Sequence, residues 1–274
     1  MRPKFTRLLT LLGASVALVA MALPASALAA SPGPGTCSGG TMAAGTYSSF
    51  TVTGTCRIAK GATVQINGDL TVEDGASLND HGYEGWVNAQ VHVAGDVRVG
   101  KGAVLGLGYN APEGMLGPDS VGGNIVANQP LALQLGNVTV WGNLISNGGG
   151  VLSTSIADFR NFPVKDNVIH GNLVIQGWHG GWIGLIRNTV DGNVIFSRNV
   201  SQSNPETGPG MDEDSSEVQG SDLGAIGGPS VPQTIHGNLI CQGNVPAAHF
   251  NPADFGAANF VDGKGIGQCA GLTQ

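Results

Sequence analysis

The stretch Thr63-Val64-Gln65-Ile66-Asn67-Gly68-Asp69-Leu70-Thr71-Val72, followed by Gly75-Ala76-Ser77-Leu78, returns 27 residues later. It reappears as Gln90-Val91-His92-Val93-Ala94-Gly95-Asp96-Val97-Arg98-Val99 and Gly102-Ala103-Val104-Leu105. The two copies share V-x-[IV]-x-G-D-[LV]-x-V-x-x-G-A-x-L without a gap, and a long-range copy of this kind decides architecture before any local propensity does. Shorter copies follow at Val138 to Leu144, Val168 to Ile175, Val190 to Phe196 and Ile235 to Cys241. Their central glycines, Gly68, Gly95, Gly142, Gly171, Gly192 and Gly237, are separated by steps of 27, 47, 29, 21 and 45 residues. Counting the steps of 47 and 45 as two turns each gives a repeat of 21 to 29 residues.

Within each copy the apolar positions alternate with a period of two, the signature of a strand with one buried face. One coil of short strands cannot bury its apolar row alone, whereas stacked coils bury a continuous column. The pattern therefore predicts a right-handed parallel β-helix of about eight to ten coils, each rung about 4.8 Å from the next. Parity puts Ile66, Leu70 and Val72 inside and Asn67, Asp69 and Thr71 outside. Gly68 falls at a bend, where a Cβ would obstruct and where a positive φ would favour glycine. Up-and-down barrels and sandwiches show hairpin turns every 8 to 12 residues or so and no copy at this longer period.

Composition agrees. The chain has 45 glycines, 11% charged residues and 5% aromatic residues, too few aromatics for an ordinary sandwich core and too little charge for disorder. Its net charge of −7 leaves no basic footprint for nucleic acid or anionic lipid.

The N-terminus reads as an export signal. Arg2, Lys4 and Arg7 precede an apolar run from Leu8 to Leu23, and Ala27-Leu28-Ala29 is an A-x-A cleavage site. Residues 1–29 are thus expected to be removed, leaving a single β-helix domain over 30–274 that is secreted, extracellular or cell-wall associated, without stable membrane insertion. The four cysteines, Cys37, Cys56, Cys241 and Cys269, lie as two near each end. An even count in an exported chain predicts disulfides; four cysteines allow three connectivities, and C-x-x-C zinc spacing is absent. Because the end coils of a solenoid lack a neighbour and fray first, the expected pairs are local, Cys37–Cys56 and Cys241–Cys269.

The C-terminal stretch Gly237-Asn238-Leu239-Ile240-Cys241-Gln242-Gly243-Asn244, then Gly263-Lys264 to Gly267-Gln268-Cys269-Ala270-Gly271-Leu272, resembles a group of secreted actinobacterial β-helix proteins of unknown function. The opening from Gly45 to Val72 is similar to theirs too. The resemblance implies the fold and the export route, and it brings no activity.

Several residue groups are candidates for a site. The residue before each repeat glycine forms an outward column, Asn67, Ala94, Trp141, His170, Asp191 and His236. His170 and Asp191 would be neighbours about 4.8 Å apart if their coils stack directly, able to hold a ligand, a metal or a proton; His236 is placed about two coils beyond. Trp178-His179-Gly180-Gly181-Trp182 is the densest aromatic spot, so Trp178 and Trp182 are the first candidates for saccharide contact. An acidic loop at about 199–233 brings Asp212, Asp214 and Glu217 close together, where carboxylate oxygens could bind calcium, although no known calcium-loop spacing is matched. Asp69, Asp96 and Arg98 make the best acidic-basic cluster.

No catalytic motif is present in the sequence. The expectation is therefore a rigid, non-catalytic rod that binds an extracellular or cell-wall polymer such as a polysaccharide, or serves a structural surface role. The alternative is a polysaccharide lyase or hydrolase on a pectate-lyase-like β-helix, which rests on fold analogy alone.

Overall fold

Alternating apolar residues make strands that bury every second side chain, and three such strands per turn wind into a solenoid. The computed structural model describes residues 32–79, 89–108, 119–150, 162–180, 183–201, 216–219, 233–249 and 258–274, and among these the backbone is strand and turn without helix. Three parallel sheets run side by side: sheet A with ten strands, from Gly35–Cys37 to Gly265–Gly267; sheet B with eight, from Gly40–Met42 to Ser216–Gln219; and sheet C with nine, from Gly45–Tyr47 to Phe260–Val261. The chain visits A, B and C in turn. Each return to the same sheet is a parallel crossover, for which the right hand is the rule. The fold is the expected parallel β-helix, and ten rungs of sheet A make about 43 Å at about 4.8 Å per rung.

The predicted parity holds. Ile66, Leu70 and Val72 are fully buried, and their equivalents Val93, Val97 and Val99 pair with them in register. Asn67 is exposed, and Asp69 and Thr71 are half-buried on the outer face.

The repeat dipeptide Gly-Asp or Gly-Asn builds the corner between sheets C and A. From Gly95 to Gly263 each corner glycine N–H donates to the carbonyl of the glycine one coil back, at 2.9 to 3.1 Å. A Cβ on Gly171 would lie 2.6 Å from the Gly142 carbonyl oxygen, and one on Gly192 would lie 2.6 Å from that of Gly171. None of these corner glycines has positive φ, so the requirement is close backbone approach and not the left-handed conformation expected at Gly68.

The residue after each glycine then caps the next coil. Asp69 Oδ1 accepts the Asp96 N–H, Asp96 Oδ1 that of Asn124, and Asn124 Oδ1 that of Asn143. The ladder continues through Asn172, Asn193 and Asn238 to the Lys264 N–H, at 2.8 to 3.0 Å. Positive φ occurs instead at the other two corners, at Gln129, Gly148, Gly177, Arg198 and Gly243 after sheet A and at Gly108, Asn137, Asp166 and Arg187 after sheet B.

One turn count is corrected. The step of 47 residues is two coils, because Gly123 bonds both Gly95 and Gly142. The step of 45 is one coil: the Gly237 N–H donates directly to the Gly192 carbonyl, and Val194–Ser197 pairs with Leu239–Gln242. Within the expected acidic loop, Ser216–Gln219 is a sheet B strand paired with Ile183–Ile186.

Both local disulfides form, Cys37–Cys56 in the first coils and Cys241–Cys269 in the last, with Cα separations of 6.3 and 5.2 Å. Each closes a loop of 19 or 28 residues, and in the chain-entropy model such a loop contributes about 3 kcal/mol. The expected signal peptide, residues 1–29, lies outside the described residues.

Two further ladders are buried, save for the half-buried Gln268 at the end of one. Asn167, Asn188, Gln233 and Asn259 stack at the corner leading into sheet C, and Asn199, Asn244 and Gln268 at the corner leaving sheet A. A polar side chain is tolerated inside only when its hydrogen bonds are made. Here each amide bonds the amide one coil on.

Candidate functional site

The corner that carries the glycine column also displays the residue before each glycine. Because no described insertion interrupts this corner, its side chains follow one another rung by rung. The N–H of Trp141 donates to Val121, His170 to Val140, Asp191 to Ile169, His236 to Val190 and Asp262 to Ile235, each one coil back. Trp141, His170, Asp191, His236 and Asp262 are therefore consecutive on one exposed ridge.

His170 and Asp191 are brought together as expected, with Nδ1 2.7 Å from Oδ2. His236 is one coil from Asp191, not two, since the step of 45 residues is a single turn. It meets a partner that repeat counting missed: His236 Nδ1 lies 2.6 Å from Asp262 Oδ2. Asp262 escapes the pattern because its coil reads Gly263-Lys264, without Asn or Asp. A carboxylate only accepts, so each Nδ1 carries a proton, and in the neutral ring Nε2 is then an acceptor. On the open side of His170 the indole of Trp141 stacks at 4.3 Å between ring centroids and 20° between planes. Trp141 is 61% exposed.

His236 has its pKa raised, above all by the hydrogen bond to Asp262, which outweighs desolvation, and further by the charges of Asp262 and Asp191. A histidine whose folded pKa exceeds its unfolded value adds stability that is fully present below the unfolded pKa and is lost as pH rises through the folded one. The His236 ring resonances are expected to titrate with a midpoint above 6.5 in the native protein and to move back down in Asp262→Asn. A midpoint unchanged by that replacement, followed by NMR, would refute the pairing as the cause.

The aromatic candidate is corrected. Trp178 is fully buried. Its indole packs over the Gly148-Gly149-Gly150 corner, where a Cβ on Gly149 or Gly150 would lie 2.9 or 2.8 Å from the ring. The Trp178 backbone N–H donates to Asn199 Oδ1, 2.9 Å away. A corner of glycines leaves room that only a large side chain fills, so Trp178 is a core residue and offers no face to a ligand. Trp182 lies outside the described residues. Beside this corner is an open depression lined among the described residues mainly by glycine backbone, with Lys101 and His179 as its ionisable groups.

Of the calcium candidates, Asp212 and Asp214 lie outside the described residues, and Glu217 sits on the sheet B strand opposite Gly184. No group of three or more metal-ligating side chains occurs among the described residues.

Asp69, Asp96 and Arg98 do cluster, and their bonding is structural. Arg98 bridges Asp69 at 2.5 Å and Asp96 at 2.8 Å, while the other oxygen of each carboxylate caps a backbone N–H of the ladder. The Arg98 hydrogen bond, then that of the Asp96 N–H, holds Asp69 below the usual carboxylate range. Asp69 raises the Arg98 pKa in return. Both shifts favour the charged forms, the reverse of what a general acid or base needs near neutral pH.

Comparison with protein families, curated proteins and solved structures finds no match for this chain.

Proposed function

We propose that this protein is a secreted, rigid, non-catalytic rod that binds an extracellular or cell-wall polymer along the exposed ridge. The observation that carries the reading is the uninterrupted file Trp141, His170, Asp191, His236 and Asp262, one side chain per coil, headed by a 61% exposed indole. A ligand that repeats along its length suits a surface that repeats along its axis. The indole supplies apolar area for a sugar face at low entropic cost, and the two imidazole Nε2 atoms accept hydrogen bonds from hydroxyl groups. Two disulfides are compatible with an extracellular location. The sequence resemblance to secreted actinobacterial β-helix proteins supports the same route.

The test is Trp141→Ala. Its exposure predicts an unchanged melting temperature, and binding to isolated cell walls or insoluble polysaccharide is expected to fall about tenfold, or about 1.4 kcal/mol. The native protein should release no sugar product on long incubation, with or without calcium. Unchanged binding would refute the ridge. Turnover abolished by replacing Asp96 or Arg98 would instead establish the lyase or hydrolase alternative.

A further inference from the structure

We propose that the outer face of sheet A, beside the ridge, is a binding track for an uncharged linear polysaccharide laid along the solenoid axis. This rests on the polymer-binding reading and names the polymer's chemistry. The outward position that holds Thr71 and Arg98 in the early coils holds only branched aliphatic residues afterwards. Val126, Ile145, Val174, Ile195, Ile240 and Ile266 follow in register on successive rungs. The inward neighbours on either side of the first five, such as Leu144 and Ser146 around Ile145, are fully buried, so the stripe belongs to the solvent face. The first five members are half-buried and Ile266 is exposed. An apolar row on the wet side of a sheet adds nothing to the core, and continuous rows of this kind mark binding surfaces.

The stripe is bordered by amides. On one side runs the capping ladder of Asn124, Asn143, Asn172, Asn193 and Asn238. On the other run Asn128, Asn147, Gln176, Ser197 and Gln242, also in register. Gln176 Nε2 donates to Asn147 Oδ1 at 2.6 Å, and Arg198 reaches the Gln176 Oε1 from the corner at 3.3 Å. Across the three columns, from the Val126 rung to the Ile240 rung, no residue is ionisable, in a chain whose net charge is −7. Charge borders this stretch at the corner, where Arg198 reaches Gln176, and returns on the face itself at Asp96 and Arg98 and at Lys264. A charged polymer gains nothing on such a face.

Its size selects the occupant's shape. Five rungs by three columns cover about 19 by 13 Å, or about 250 Å², against the roughly 800 Å² per partner that a stable protein interface requires. A second copy or a globular partner is therefore too broad, and a single extended chain fits. An extended peptide would seek a sheet edge, where backbone groups are unpaired; this face has none to offer. A sugar chain offers C–H faces to the aliphatic row and hydroxyl groups to the amides on both sides.

The experiment measures retention of the full secreted protein on cellulose, chitin and xylan, and on polygalacturonate as the anionic counterpart, at low and high salt. Retention on at least one neutral glycan, insensitive to salt, is expected, with a loss of tenfold or more in Ile145→Lys/Ile195→Lys. The milder pair Ile145→Thr/Ile195→Thr, checked for an unchanged melting temperature, should lose binding in the same direction and so guards against a folding artefact. Neutral-glycan binding lost in Trp141→Ala but kept in both double variants would overturn the track and leave the ridge. Binding to polygalacturonate alone would overturn the track while keeping the polymer reading. Binding to none of the four would overturn both.

Discussion

Leu173→Asp is expected to melt about 8 to 16 °C below the native protein, while Thr71→Asp changes the midpoint by no more than about 2 °C. Leu173 is fully buried, flanked by Leu144 one coil back and Val194 one coil on. A carboxylate placed there has no partner and costs about 4 kcal/mol. Thr71 faces out between Thr51 and Arg98, where a new carboxylate keeps its water and meets a cation. Coils of a solenoid are coupled only to their neighbours, so the damage at Leu173 divides the rod, and the disulfides at the ends cannot compensate. Thermal melts followed by circular dichroism decide the matter. Equal losses at the two positions would contradict the inward and outward assignment on which the whole core rests.

That assignment was legible because parity is a property of neighbouring residues. Val64, Ile66, Leu70 and Val72 declare their side within one copy of the repeat, and the local disulfides follow once the coils have ends. What stayed hidden depends on which coil lies next to which. The 45 residues from Gly192 to Gly237 look like two turns, yet they make one, because Val194 and Leu239 pair directly on neighbouring rungs. The same miscount separated His236 from Asp191 and concealed Asp262. At Trp178 the deciding fact was the glycine corner beneath it: a Trp amid His and Gly reads as exposed until Gly149 and Gly150 are seen to leave the space that it fills. The aliphatic row on sheet A was visible as residues, in Asn143-Leu144-Ile145 and Asn172-Leu173-Val174, but not as a surface. Adjacent apolar residues blur the alternation, and only register shows that Ile145 and Val174 stack on the outside.

The internal amide ladders carry the other large effect, and Asn188→Leu is expected to lower the melting temperature by about 10 to 20 °C. Asn188 is fully buried and serves three neighbours at once. Its Oδ1 accepts from the Asn167 N–H at 3.1 Å and from Asn167 Nδ2 at 2.9 Å. Its Nδ2 donates to the Val164 carbonyl at 2.8 Å and to Gln233 Oε1 at 3.0 Å. Leucine keeps the branched heavy-atom skeleton and removes all four bonds, and each buried group left without a partner costs about 1 to 3 kcal/mol, for a total of about 5 kcal/mol. Asn172→Leu, in the half-buried outer ladder, should cost far less because water reaches the Asn193 N–H it caps. A second replacement separates hydrogen bonding from packing. In Asn188→Asp the carboxyl is isosteric, and burial without a cation raises its folded pKa above the unfolded value of about 3.9. A raised carboxyl pKa means that stability is retained below the unfolded pKa and lost as pH rises through the folded one. Relative to the native protein at each pH, Asn188→Asp should therefore melt much closer to it at pH 4 than at pH 7. A deficit that is the same at both pH values would mean that the ladder is packing material, and that its hydrogen bonds do not hold the coils in register.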